Sequence, residues 1–166
     1  MKTNKSIKVV TGLVRFENVH LYEPSSVVGS KKYSLTLVID KAEVETINKI
    51  NAAYLSLKNE NQVASSKKSM MPKALRNGDI EKIDQIYKGA YFLTASSIER
   101  PGIVDKDLNP LIGVGDVYDG CYGRASITLF IYEFNGKFGI GVGLNNIQKL
   151  KEGKRAKTKK AGKDFC

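Results

Sequence analysis

The stretch from 118 to 146, YDGCYGRASITLFIYEFNGKFGIGVGLNN, constrains this chain more than any other. Asn135-Gly136 sits between two runs of alternating apolar residues, the strongest short-range signal for a β-hairpin. Successive strand side chains point to opposite faces. Cys121, Gly123, Ala125, Ile127, Leu129 and Ile131 therefore share one small, aliphatic face suited to a core. Tyr122, Arg124, Ser126, Thr128, Phe130, Tyr132 and Phe134 share the other. That second face carries four rings, an arginine and two hydroxyls, and suits stacking on something flat and negatively charged. Aromatic and β-branched residues are enriched in strands whatever their role, so a packed face fits this stretch equally well. In the second strand, Phe138, Ile140, Val142 and Leu144 oppose Gly139, Gly141 and Gly143. Glycines on one strand face mark bending or a surface open to a neighbouring backbone or base, and closing a small barrel needs such bending.

The remaining segments fit a small β domain. Residues 7–20 alternate as one long strand with Ile7, Val9, Thr11 and Leu13 on one side and Val10, Val14 and Phe16 on the other. Gly12 is expected to bend it, as a closed barrel requires. Residues 23–32 (EPSSVVGSKK) read as a loop, and Tyr33–Ile39 as a second strand. Asp40 with Glu43 approximates a capping box. Val44, Ile47, Ile50, Tyr54 and Leu57 follow at helical spacing, predicting one helix that ends near Lys58-Asn59. Residues 60–84 show no periodicity and read as a long cationic loop. Residues 87–98 read as a strand in which Tyr91 and Phe92 face opposite sides. Residues 99–115 read as a turn-rich loop.

Charge points to the class of partner. The chain has 166 residues, 27 Lys+Arg and 17 Asp+Glu, a net charge of +10, which favours a polyanion, nucleic acid first. Residues 149–166 hold eight basic and two acidic residues, so more than half the excess lies in a low-hydrophobicity tail expected to be disordered. We therefore expect one domain over residues 1–148 and a basic tail over 149–166. No run is apolar enough to span a membrane, and the N-terminal residues lack a signal-peptide core. Cys121 and Cys166 make no disulfide framework, so a cytoplasmic setting is the default.

Catalysis finds no constellation to rest on. One histidine removes most acid–base schemes, and no phosphate loop or nucleophile–base set is present. Asp105, Asp107, Asn109 and Asp116 match positions of a calcium loop. Pro110 replaces its glycine, however, Asp116 replaces its bidentate glutamate, and no helices flank it. We expect no cofactor and no metal.

Six segments, KYSLTLVIDK (32–41), LRNGD (75–79), YKGAYFLTASS (87–97), RPGIVDKDLNPL (100–111), YDGCYGRASITLFIY (118–132) and GIGVGLNNIQKLKEGK (139–154), resemble in the same order a family of bacteriophage single-stranded DNA-binding proteins. The resemblance covers most of residues 7–154. It implies a mainly β chain, an OB-like five-stranded barrel with one long α-helix and long basic loops. It also implies a role in phage DNA replication, recombination or repair, with replication or recombination proteins as partners. Two departures stand out. Such proteins usually end in an acidic tail closed by an aromatic, and only Asp164-Phe165 is similar to that here. Only two strands precede Asp40, so either the first long strand serves twice or the topology is a variant.

The expected function is non-enzymatic, sequence-tolerant binding of single-stranded DNA, with rings stacking on bases and cations following the phosphates. Strand facing and charge select Tyr122, Tyr132, Phe130 and Tyr91 for stacking. They select Arg124, Arg15, Arg76, Lys88 and Arg100 for phosphate, with the loop lysines Lys67, Lys68 and Lys73 as lesser contributors. The alternative is a structural or protein-interaction domain whose aromatic strand face is a subunit interface in a homo-oligomer such as a dimer. A third reading, a nuclease using Asp105, Asp107 and Asp116, requires metal-dependent cleavage.

Overall fold

The computed structural model describes residues 6–27, 30–60, 72–81 and 84–153. The strands are β1 (Ser6–Val10), β2 (Val14–Val27), β3 (Ser30–Asp40), β4 (Arg76–Asn77), β5 (Ala90–Ser97), β6 (Gly102–Val104), β7 (Tyr122–Phe134) and β8 (Lys137–Lys151). The helices are α1 (Val44–Glu60) and the single turn α2 (Gly78–Glu81), followed by a 3-10 turn at Gln85–Tyr87. β7, β2, β3, β5 and β8 pair in that order, and β8 returns to β7. The result is the closed five-stranded ring expected from the sequence. β1, β4 and β6 extend it from β7, β5 and β8.

The hairpin forms as its sequence dictates. Asn135 and Gly136 both have positive φ, 52° and 76°, which is the backbone of a two-residue type I′ turn. Cys121, Ala125, Ile127, Leu129 and Ile131 are buried, while Phe130 and Tyr132 on the other face are exposed. β7 and β8 pair along nearly their whole length, from Tyr122↔Lys151 to Phe134↔Lys137.

Gly12 breaks the first long strand, which does serve twice. β1 lies on β7, and β2 lies on β3 while touching the start of β7, so three strands precede α1. Between Val10↔Ser126 and Val14↔Gly123, four residues on one side span three on the other. That extra residue reverses which side chains face the core. Val9 is buried before the break, and Val14 and Phe16 after it, whereas Leu13 is exposed. Leu13 was expected on the face of Val9. Thr11 ties the break to β7 by two bonds with Ala125, and the Gly12 amide donates to Thr46 Oγ1 of α1 at 2.9 Å.

Four further expectations are corrected. Residues 23–27 and 30–32 are not loop. β2 and β3 continue as a ribbon, Ser25↔Lys32 and Val27↔Ser30, after register shifts in β2. Asp40 does not cap α1. Its Oδ1 accepts from the Ala42 amide at 2.8 Å, closing a turn, and the first helical bond runs from the Ile47 amide to the Glu43 carbonyl at 3.1 Å. Val44 stands exposed, whereas Ile50, Ala53, Tyr54 and Leu57 make the buried stripe. Residues 74–81 are structured, with Ala74 and Leu75 buried in the main core and β4 paired on β5.

The domain also runs past its expected end at Gln148. β8 continues to Lys151. The Tyr118 hydroxyl then holds Glu152 and Gly153, donating to the Glu152 carboxylate and accepting from the Gly153 amide at 3.0 Å. The tail from 154 onward, with Lys67 and Lys68, lies outside the described residues. No helix among the described residues is long and apolar enough to cross a membrane.

Candidate nucleic-acid interface

The barrel aligns residues from six strands into one row across its outer face. Tyr122 of β7 pairs with Lys151 of β8 and with Arg15 of β2. Arg15 pairs with Val38 of β3, Val38 with Phe92 of β5, and Phe92 with Arg76 of β4. Directly paired residues project to the same side of a sheet. The inner side of these strands holds Phe16, Leu37 and Leu93, so the row lies on the outer one. Strands about 4.8 Å apart make it roughly 24 Å long. Its order, Lys151–Tyr122–Arg15–Val38–Phe92–Arg76, alternates cations with rings and an aliphatic side chain. Lys151 Nζ stands 5.4 Å from the Tyr122 ring centroid, and the Arg76 guanidinium 5.4 Å from that of Phe92.

The middle of the row is covered. Tyr87 of the 3-10 turn packs edge-on against Phe92, centroids 5.2 Å apart, and Ile86 packs beside Val38, Ala90 and Phe92. The cover leaves an opening on each side. A groove of about 460 Å³ is lined by Leu13, Arg15, Val38, Ile86, Lys88 and Tyr122, among others. A larger one of about 730 Å³ is lined by Lys73, Arg76, Tyr91 and Thr94 and reaches Ile140 and Val142.

The row thus brings together Tyr122, Arg15 and Arg76 of the residues selected from sequence, with Lys88 and Lys73 lining the grooves beside it. Arg124 is exposed two residues along β7 from the row, on the same face, and donates from Nε to the Thr11 carbonyl at 3.0 Å. Phe130 and Tyr132 share the face of Tyr122 but not its place. Eight residues of strand, roughly 27 Å, separate Phe130 from Tyr122. There they form a platform of their own, paired with Gly141 and Gly139. A Cβ on Gly141 would meet the Phe130 ring at 2.2 Å, and one on Gly139 the Tyr132 ring at 2.4 Å. The glycines let both rings lie down on the backbone of β8.

Tyr91 lines the larger groove without joining the row, and Arg100 falls elsewhere. Tyr91 lies on the inner side of β5, half-buried against the core, with Lys41 Nζ 5.1 Å from its ring. Arg100 stands over Tyr22, 5.5 Å from the centroid, and Tyr22 in turn accepts from the Val117 amide at 2.9 Å. Sequence reasoning missed Lys151, and it missed Phe92 as the buried ring that supports Arg76. Phe92 is the outward neighbour of Tyr91, and only the sheet decides which of the two faces out. Lys151 was assigned to the tail because LNNIQKLK spaces its apolar residues three apart, and the register shifts of β8 opposite Ser126–Ile127 and Tyr122–Gly123 hide the strand from a period-two reading.

The cations of the row are partly neutralised. Arg15 Nε lies 3.3 Å from Glu17, and Arg76 meets Glu81 at 2.7 Å. The second pair is exposed and worth at most about 1 kcal/mol, so a phosphate competes for Arg76 at small cost. Glu17 is buried. Burial pushes its carboxyl above the usual range, Arg15 opposes that shift, and Asp119 and Asp84 add to it. A folded-state pKa above the unfolded one contributes stability that is complete below the ordinary 4.5 and is lost as pH rises through the folded value. Glu17→Gln keeps an acceptor for Arg15 and removes that loss. Its melting temperature relative to the parent should therefore be higher at pH 7 than in acid, and an equal difference at both pH values would show that Glu17 does not titrate abnormally.

The calcium-like segment is turn structure. Asp105 Oδ1 accepts from the amides of Asp107 and Asn109, at 2.8 and 2.9 Å, and Asp116 from that of Gly113 at 3.0 Å. Among the described residues no group of three His, Cys, Asp or Glu side chains could hold a metal ion.

Known proteins share this architecture. The structure of the single-stranded DNA-binding protein of bacteriophage Enc34 in complex with ssDNA superposes with a TM-score of 0.74 at 24% identity, covering 92% of this chain and 89% of that one. Gp2.5, a single-stranded DNA-binding protein encoded by bacteriophage T7, superposes at 0.63 and 11%, covering 99% and 96%. At these identities both likenesses show the fold alone. Putative protein p50 of Acyrthosiphon pisum secondary endosymbiont phage 1 is 29% identical over 161 residues, 89% of this chain and 85% of that protein. The family described as Enterobacter phage Enc34, ssDNA-binding protein, matches residues 7–165. With nearly its whole length matched and its barrel shared, the chain belongs to the Enc34 ssDNA-binding protein family.

Proposed function

We propose that this chain binds single-stranded DNA across the outer face of its barrel, through the open parts of the row on either side of the covered pair Val38–Phe92, with Lys151, Tyr122 and Arg15 on one side and Arg76 on the other, and covers it during phage DNA replication, recombination or repair. The row itself carries the reading. A chain of cations and rings perpendicular to the strands matches a backbone of phosphates with bases beside it. Family membership supports it, as does the fold shared with a protein held in complex with ssDNA. Lys88 and Arg124 flank the path and add phosphate contacts. The reading asks for binding and no chemistry, and it involves no cofactor. Stacking on a π-face makes it tolerant of sequence. The basic residues beyond Gly153 add only nonspecific attraction.

A labelled single strand and its duplex, titrated by fluorescence anisotropy at several salt concentrations, test this. The full chain and a chain ending at Gly153 should both prefer the single strand. About five cations at the strand predict a slope of log affinity on log salt of roughly −3 to −4. Preference for the duplex, or binding that vanishes with residues 154–166, would overturn it.

A further inference from the structure

The 460 Å³ groove beside Tyr122 has a lining of three unlike kinds. Arg15 and Lys88 line it as cations, and Leu13, Val38 and Ile86 as apolar wall. Asp40 and Glu43 line it as well. They are an odd choice for a surface that meets phosphates, because a carboxylate repels them. Asp40 is exposed. One oxygen is engaged by the Ala42 amide, and the other has no hydrogen-bond partner among the described residues. A carboxylate only accepts hydrogen bonds. A nucleotide carries the complementary groups, an anionic phosphate, an apolar ring face and the donor groups of its base edge.

We propose that this groove takes one unstacked base of the bound strand and prefers a base with an exocyclic amino group, cytosine above all among pyrimidines, to thymine or uracil. The inference rests on the reading of the row as the path of the strand. Arg15 and Lys88 hold the phosphates on either side of the base, and Leu13, Val38 and Ile86 with Tyr122 enclose its ring. Asp40 and Glu43 accept from its amino group. Cytosine offers its N4 amino group, a known partner of acidic side chains. Thymine and uracil present a carbonyl oxygen at that position, which meets a carboxylate with repulsion. Binding is thus tolerant of sequence along most of the row and selective at one place in it.

The test compares labelled oligo(dC) and oligo(dU) of equal length and at equal salt, bases that differ at the edge in question. The full chain should bind dC at least five-fold more tightly, and N4,N4-dimethylation of the cytosines should remove the advantage. In the double variant Asp40→Asn, Glu43→Gln the two affinities should converge to within two-fold, with dU no weaker than before. The asparagine oxygen still accepts from the Ala42 amide, which protects the turn. If the variant fails to fold, the ranking of dC, dimethylated dC and dU on the parent chain decides alone. Equal affinities, a dU preference, or an advantage that survives dimethylation or the double substitution would overturn the base pocket while leaving the row intact. Absence of single-strand binding altogether would remove both.

Discussion

Tyr122→Ala is expected to weaken single-strand binding by about 5- to 150-fold, the equivalent of ~1–3 kcal/mol for one base–ring stack. Tyr122 is the residue at which the row is densest. Lys151 stands over its ring, Arg15 is its cross-strand neighbour, and the 460 Å³ groove opens against it. Its ring is half-buried, so its removal leaves the core of Phe16, Ile127 and Leu129 intact. The comparison that gives this result meaning is Tyr132→Ala. Tyr132 is 47% exposed at the far end of β7, on the glycine-floored platform. Equilibrium titration and light scattering on both variants separate the roles. Loss of affinity in Tyr122→Ala with an unchanged mass assigns the row to DNA. Unchanged affinity in both, with a changed mass in Tyr132→Ala, would instead make the aromatic face a subunit interface.

Gly123→Ala should cost about 3 kcal/mol of folding stability, the upper part of the usual range for overpacking, and lower the melting temperature by roughly 6–12 °C. Gly123 lies where β7 meets both β2 and β8, opposite Val14 and Lys149. A Cβ there would stand 2.1 Å from the Gln148 carbonyl oxygen and 2.8 Å from the Phe16 ring. The first obstacle is backbone held in the sheet, and the second is a fully buried ring. Relief therefore requires the ring of strands to open, between Tyr122 and Arg124. Gly143→Ala is the control. Its Cβ would meet nothing nearer than 3.6 Å, and its melting temperature should stay within about 2 °C of the parent. Equal melting temperatures for the two variants would mean that close approach at Gly123 does not hold the barrel shut.

Much of this architecture was legible because it depends on local rules. The period-two pattern of 121–131 assigned inner and outer faces correctly, since a strand side chain has only two directions to take. Asn135-Gly136 gave the turn, since its conformation needs positive φ at both residues. The stripe Ile50, Tyr54, Leu57 gave the helix and its buried face. The errors fell where a distant partner overruled the local pattern. One extra residue near Gly12 reversed the facing of Leu13, Val14 and Phe16, and only pairing with β7 sets that bulge. The polar run 23–32 became strand because β2 and β3 pair with each other. Residues 74–77 became structure because β5 offered an edge and the core accepted Ala74 and Leu75.

The same division holds for the site. Residue types and facing, read from the sequence, determined that rings and cations of β7 point away from the core and that the partner is a polyanion. They also determined the family, through long segments kept in order. Which of those residues lie together was decided by the tertiary structure alone. Register aligned Tyr122 with Arg15, Phe92 and Arg76, from strands far apart in the chain, and set Phe130 and Tyr132 roughly 27 and 34 Å down the same strand face. Alternation fixes direction within one strand, but position across a sheet is a property of pairing. Pairing is chosen by the burial of the whole inner face at once.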